Sequence, residues 1–104
     1  MIQIQNYIDG EFVNPIKNEW IDNIHPSVGS VYGKLPNSNS EDVQIAYDAA
    51  QRAFNTWSET SIEKRSSILL KIARLIEANL DRFAAAESKD NGKPETLAAH
   101  VDIP

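Results

Sequence analysis

Apolar side chains recur every three or four residues through the second half of the chain. One stripe runs along a single face of a predicted helix and contains Ile62, Leu69, Ile72, Ala73, Ile76, Leu80, Phe83 and Ala84. Thr60 followed by Glu63 is the pattern of a capping box, and Asn91-Gly92 supplies the left-handed residue that closes a helix. Because one helix of this length is uncommon in a small domain, we expect a break near Ala78-Asn79 and two helices that share one apolar surface.

A second helical pattern precedes this one, over about Glu41 to Trp57. Its apolar face contains Val43, Ala46, Tyr47, Ala50, Ala53, Phe54 and Trp57. We expect the N-cap at Asn39 or Ser40, since both side chains can accept a hydrogen bond from the first turn. The small alanines favour close packing against the stripe of residues 62 to 84. Pro94 fits the first turn of one further helical piece.

The first 36 residues have strand patterns. Residues Ile2 to Val13 predict one hairpin that turns at Asp9-Gly10, and Trp20 to Ile24 with Val31 to Leu35 predict a second hairpin. The predicted fold class is therefore α+β: β-hairpins over 1–36, then a layer of about three to four helices over 37–104. We treat residues 1–104 as a single partial domain.

Composition narrows the classes of partner. The chain has 104 residues, 41% of them hydrophobic and 24% charged, with a formal net charge of −5. No window is basic enough for nucleic acid, and we expect no membrane partner. No basic and apolar leader follows Met1, so we expect a cytoplasmic location. The sequence has no cysteine, which excludes disulfides and thiolate chemistry within these residues.

Few residues suggest a binding site. Gly10, Gly29, Gly33 and Gly92 do not form a phosphate-binding loop, and we interpret each as a turn or cap glycine. His25 and His100 lie 75 positions apart without carboxylates at ligand spacing, so we predict structural roles and no metal.

Lys93 is the polar residue with the strongest case for a binding role. Its ammonium could contact a phosphate or a substrate carboxylate, but we favour a role in neutralising helix-end carbonyls. Acidic residues on the predicted helices are interpreted as a solvated face with weak ion pairs such as Asp48 with Arg52. They are Asp42, Asp48, Glu63, Glu77, Asp81, Glu87 and Asp90.

Several longer stretches carry a family resemblance. The sequence AAAESKDNGKPETLAAHVDIP, with NYIDGEFV and IHPSVGSVYGKLP before it, resembles the amino-terminal part of NAD(P)-dependent aldehyde dehydrogenases over Tyr7 to Pro104. ESKDNGK with HVDIP is most similar to the branch that acts on 2-aminomuconic and 2-hydroxymuconic semialdehydes. The resemblance implies the leading part of a Rossmann-like cofactor domain. It also implies oxidation of an aldehyde to a carboxylic acid with NAD, by an oxidoreductase that is a homo-oligomer.

The resemblance transfers no catalytic residue to this chain. The family uses a cysteine thiolate as nucleophile and a glutamate that activates water. Its catalytic glutamate and glycine-containing cofactor turn lie downstream of the matched region. We therefore expect no catalytic, cofactor-binding or metal residue here, no activity and no bound NAD in these residues alone, and the remainder of a parent chain as the main partner. The alternative is a stand-alone truncated relative that acts as a non-catalytic helical interaction module.

Overall fold

The computed structural model describes all residues, 1–104, and confirms the α+β class. The strands are β1 (Ile2–Gln3), β2 (Asn6–Ile8), β3 (Glu11–Val13), β4 (Trp20–His25) and β5 (Ser30–Pro36). The helices are α1 (Ser40–Trp57), α2 (Ile62–Ala78), α3 (Leu80–Asn91) and the short α4 (Glu95–Leu97), followed by a π-helical turn, Ala98–Asp102. None of these helices is both long enough and apolar enough to cross a bilayer.

The chain divides into two compact units. The first unit contains Met1–Asn23 and Val31–Glu59, and the second contains Ile24–Ser30 and Thr60–Pro104. The first unit therefore holds most of the strand residues with α1, and the second holds the β4–β5 turn with the other helices. The assignment of residues 1–104 to a single partial domain stays a prediction.

The strands form two small sheets, and β4 and β5 of the second predicted hairpin are neighbours in one of them. A three-stranded sheet has the order β1-β5-β4, and β2 and β3 form a separate two-stranded sheet. The predicted hairpin over Ile2 to Val13 is thus wrong in its first arm: β1 pairs in parallel with β5, with Ile2 opposite Gly33. The physical reason is the glycine, since a Cβ atom on Gly33 would lie 2.6 Å from the Ile2 carbonyl oxygen.

The hairpin around Asp9-Gly10 is confirmed. β2 and β3 are antiparallel, with Tyr7 opposite Phe12, and the two ring centroids are 5.0 Å apart. Both turn residues have positive φ, 53° at Asp9 and 81° at Gly10. Two successive positive φ angles give the turn a twist that matches the twist of paired strands.

Helix α1 begins at the predicted cap. The Asn39 side chain accepts from the backbone N–H of Glu41 and Asp42, and Asp42 Oδ2 accepts from the Asn39 backbone N–H at 2.9 Å. Asp42 Oδ1 also accepts from the backbone N–H of Ile16 at 2.9 Å. One carboxylate therefore fixes the helix start and the β3–β4 connection together. The packing of α1 against residues 62 to 84 stays a prediction; within the first unit, α1 contacts β2.

The second unit confirms the helix break and the glycine cap. Helix α2 ends at Ala78 and α3 starts at Leu80, and Asn79 between them donates its side-chain amide to the Leu75 carbonyl oxygen at 2.8 Å. Gly92 closes α3 with φ of 80°.

The predicted capping box of Thr60 and Glu63 is wrong by one residue. Ser61 is the N-cap of α2, and its hydroxyl accepts from the Lys64 backbone N–H. The helix begins at Ile62, so the third helical position holds Lys64 instead of a glutamate that could complete a box. The last helical piece starts directly after Pro94 and continues into the π-helical turn, in which the Ile103 N–H donates to the Ala98 carbonyl oxygen.

Very little apolar surface is buried. Ala49, Ala84 and Ala98 are the only buried hydrophobic residues, and no large side chain is fully enclosed. The accessible surface is 7924 Å², whereas a folded monomer of 11.6 kDa should expose about 5,800 Å². The chain buries roughly half of the surface of its unfolded form, instead of the roughly two-thirds typical of this size.

Gly33→Ala should detach β1 from β5. The added methyl group meets backbone rather than a movable side chain, and overpacking of this kind typically costs ~1–3 kcal/mol. We expect faster hydrogen exchange of the Ile4 backbone N–H, which donates to the Lys34 carbonyl oxygen at 2.9 Å. The control is Ser30→Ala at the exposed start of β5. Unchanged exchange at Ile4 in Gly33→Ala would contradict the close approach.

Asp42→Ala should destabilise the start of α1 by roughly 2 kcal/mol, because it removes a cap and two acceptors in a buried position. Urea unfolding followed by circular dichroism measures the change. Glu41→Gln is the matched control in the same helical turn, since the Glu41 side chain is exposed. Equal stabilities of the two variants would show that the Asp42 carboxylate is not a structural tie.

Candidate functional site

Lys93 lies in a tightly bonded turn. Its ammonium is 3.0 Å from Asp102 Oδ2, in the π-helical turn, and its backbone N–H donates to Asn91 Oδ1 at 2.8 Å. The Ser88 hydroxyl donates to the Lys93 carbonyl oxygen. The ammonium thus pairs with a carboxylate rather than with the helix-end carbonyls that we expected, because the chain after Pro94 folds back onto the end of α3. The turn joins two helical segments and presents no cluster of free donors.

Gly92 explains the direction of this turn. It combines left-handed φ with close packing, since a Cβ atom there would lie 3.3 Å from Pro26 Cβ in the β4–β5 turn. Gly10 and Gly29 also have positive φ and lie in turns, as predicted. Gly33 does not: it lies inside β5, where the approach of Ile2 requires it. The interpretation of Gly33 as a turn glycine is therefore wrong.

The two histidines occupy different segments of the second unit. His25 ends β4, and His100 lies in the π-helical turn with Nδ1 2.7 Å from the Thr96 carbonyl oxygen. That distance fits a ring that donates from Nδ1 to the preceding turn. No group of three or more His, Cys, Asp and Glu residues is arranged to hold a metal ion.

One acidic residue, Asp42, does not lie on a solvated face. Asp42 is only 5% exposed and accepts two backbone hydrogen bonds, so its assignment to that face is wrong. Asp48 accepts from the Gln44 side chain, whereas Arg52, its predicted partner, lies 3.6 Å from Asp9 of the hairpin turn. The hairpin folds next to α1 and offers Arg52 this carboxylate. Both members of that pair are largely exposed, so the pair contributes little stability.

The second unit has an open apolar cleft along α2 and α3. Its volume is about 560 Å³, and it is lined by Ile72, Leu75, Ile76, Asn79, Arg82, Phe83 and Ala86. Arg82 is the only charged lining residue, and its guanidinium donates to Asn79 Oδ1 at 3.4 Å. The cleft holds no nucleophile and no acid–base pair. It is a surface suited to apolar packing rather than to catalysis.

Comparison with known protein families identifies the family of this chain. The model of the aldehyde dehydrogenase family matches residues 12–104. The chain belongs to the aldehyde dehydrogenase family. The predicted family relationship is thereby confirmed.

Similar proteins are much longer than this chain. It is 48% identical to a long-chain-aldehyde dehydrogenase of an Acinetobacter species, over 97% of this chain and 20% of the relative. It is 50% identical to the 2-aminomuconic semialdehyde dehydrogenase of Danio rerio, over 97% of this chain and 20% of the relative. The solved structure of PnpE in complex with nicotinamide adenine dinucleotide is similar with a TM-score of 0.96 and 36% identity, over 99% of this chain and 21% of PnpE. The chain spans about a fifth of the length of these proteins.

The prediction that these residues include no catalytic, cofactor-binding or metal residue stays a prediction. Sequence reasoning missed the structural partners of two candidates: Asp102 for Lys93, and the Ile16 backbone for Asp42. Both contacts depend on how the chain returns on itself. The spacing of residues along a helix does not predict such contacts. Only the Asn39–Asp42 spacing, which is that of a capping box, could have indicated a structural role for Asp42.

A double-mutant cycle tests the structural role of Lys93. Lys93→Met and Asp102→Asn should each destabilise the turn slightly, and their coupling should be about 0.5 kcal/mol, the size typical of a partly exposed pair. Thermal unfolding of the four proteins measures the coupling. Strictly additive effects of the two substitutions would show that the ion pair does not contribute to stability.

Proposed function

We propose that the chain is the amino-terminal part of an NAD-dependent aldehyde dehydrogenase that oxidises an aldehyde to a carboxylic acid. The observation that carries the proposal is the family match over residues 12–104, combined with relatives about five times longer. The segment alone is inactive. It has no cysteine that could act as the family's nucleophile, and Asp42, Lys93 and Asp102 are engaged in structural contacts.

The residues of this chain do not fit the cofactor. A pyrophosphate is usually held by consecutive backbone N–H groups of a glycine-rich loop at a helix start. Here Gly10, Gly29 and Gly92 lie in separate turns and Gly33 lies inside a strand. The start of α1 is already capped by Asn39. NAD in the parent enzyme therefore binds to residues outside this segment.

For the substrate we propose a semialdehyde that carries a distant carboxylate, as in the muconic semialdehydes. Support comes from the sequence motifs ESKDNGK and HVDIP, and from the 2-aminomuconic semialdehyde dehydrogenase of Danio rerio among the similar proteins. The similarity to a long-chain-aldehyde dehydrogenase is almost as high. The choice between the two substrate classes is therefore an experimental one, made by comparing kcat/KM of the parent enzyme for each.

We also propose that the parent enzyme is a cytoplasmic homo-oligomer, in which this segment's principal partner is the rest of its own chain. A second candidate is a stand-alone helical interaction module. It is favoured by one observation: α2 contains no buried residue, so its apolar side chains are open to another protein. The two candidates differ in whether an aldehyde-dependent reaction exists at all.

The purified segment of residues 1–104 should not reduce NAD in the presence of any aldehyde, because it lacks the nucleophile. The parent polypeptide should do so, and loss of its cysteine nucleophile should abolish the reaction. Formation of NADH measures both. Turnover by the pure segment that a substitution in the segment removes would contradict the proposal, and so would an inert parent.

Lys93→Met in the parent enzyme should change the KM for NAD and for the aldehyde by less than about twofold, since a shift of that size corresponds to well under 1 kcal/mol. The reason is that the ammonium is occupied by Asp102. Steady-state kinetics provides the measurement, with Lys89→Met in the preceding helical turn as the control. A rise in either KM of tenfold, confined to Lys93→Met, would show that Lys93 contacts a ligand.

A further inference from the structure

Asn91-Gly92 is the only place in the chain where a glycine follows an asparagine. The backbone nitrogen that follows an asparagine can attack the side-chain carbonyl carbon of that asparagine. Glycine leaves this nitrogen the most accessible, because it has no Cβ atom beside it. Both residues are exposed at the end of α3. The pair therefore combines a structural role as a helix cap with the chemistry of a spontaneous modification.

The folded turn holds both of the nitrogen atoms that this reaction uses. The Gly92 N–H donates to the Ser88 carbonyl oxygen at 2.9 Å. The Asn91 side-chain amide donates to Glu87 Oε1 at 2.6 Å, and its Oδ1 accepts from the Lys93 backbone N–H at 2.8 Å. The attacking nitrogen must lose its proton and the side-chain nitrogen must leave. Since both are hydrogen-bond donors in the turn, the turn has to open before the reaction proceeds.

We propose that Asn91 is a site of spontaneous deamidation whose rate is limited by opening of the turn at the end of α3. In the open turn the Gly92 nitrogen gives its proton to water and forms a bond to Asn91 Cγ. The Cγ–Nδ2 bond breaks, and Nδ2 leaves as ammonia with a proton from water. The product is a cyclic succinimide, and water opens its ring at either carbonyl to give aspartate or isoaspartate. The net change is the uptake of water and the release of ammonia, so no oxidant or reductant is needed.

Either product alters the turn. A carboxylate replaces the amide that donated to Glu87, so two negative charges meet where a hydrogen bond stood. Isoaspartate also adds a carbon atom to the backbone just before Gly92, whose φ of 80° directs the chain after α3. That direction brings Lys93 within 3.0 Å of Asp102. Deamidation should therefore loosen the cap of α3 and this ion pair together.

Asn79 is an internal reference for the chemistry. It also lies at a helix end, and its side-chain amide donates to the Leu75 carbonyl oxygen at 2.8 Å. The next residue is Leu80, whose Cβ and branched side chain crowd the nitrogen that would have to attack. A difference between Asn91 and Asn79 in the unfolded chain thus reports the effect of the glycine alone.

The full-length polypeptide is incubated at neutral pH, under native conditions and in urea. Peptide mass spectrometry with chromatographic separation measures asparagine, aspartate and isoaspartate at both positions over time. We expect Asn91 to react about tenfold faster or more in urea than in the native protein, because the native turn must first open locally. In urea Asn79 should react much more slowly than Asn91, and the products at Asn91 should include isoaspartate.

Substitution of Glu87 tests the gating by the turn. Glu87→Ala removes the acceptor of the Asn91 amide and should speed the native reaction by about two- to fivefold, as expected for the loss of one exposed hydrogen bond. Glu87→Gln keeps an acceptor oxygen and should react at nearly the unsubstituted rate. Glu77→Ala, at an exposed position of α2, is the control for the lost charge.

Four results would each overturn the proposal. The first is that Asn91 stays unmodified in urea, and the second is that it reacts as fast in the native protein as in urea. The third is aspartate without isoaspartate, which would indicate direct hydrolysis of the side chain. The fourth is an equal native rate in Glu87→Ala and Glu77→Ala.

Discussion

The small amount of buried apolar surface limits the stability of this chain more than any single contact does. Its buried apolar side chains are those of three alanines and Pro15, while large side chains such as Leu69, Leu75 and Phe12 stay accessible. Hydrophobic burial is the main favourable term in folding, at about 25 cal/mol for each Å² removed from water. A segment that leaves about 2,000 Å² of extra surface exposed therefore lacks much of the stabilisation that a domain of its length would have.

Local order in the segment depends instead on backbone hydrogen bonds and on polar caps. Asp42 ties the start of α1 to the β3–β4 connection, and Asn79 interrupts the long helical pattern. Gly92 turns the chain so that Lys93 can reach Asp102. These interactions specify where each element begins and ends, but each contributes only one or a few kcal/mol.

The residues that sequence reasoning placed correctly are those governed by neighbours along the chain. The turn at Asp9-Gly10, the cap at Asn39, the break at Asn79 and the left-handed Gly92 all follow from local backbone preferences.

Most of the errors concern contacts between distant parts of the chain. The pairing of β1 with β5 required the close approach at Gly33. The shift of the α2 cap to Ser61 is a local exception, since it depended on which of two adjacent hydroxyl residues caps the helix. The same distinction applies to the candidate site. Short sequence motifs were enough to recognise the family, but they did not reveal the partners of Lys93 and Asp42.

The large apolar side chains that the segment leaves exposed should also be accessible when the segment is alone in solution. We would measure, on the purified segment of residues 1–104, the binding of an apolar fluorescent dye together with the mass of the species in solution across a dilution series. We expect dye fluorescence well above that of a folded protein of this size, and assemblies that grow with concentration. A monomer that binds no more dye than a folded protein of this size would overturn this expectation.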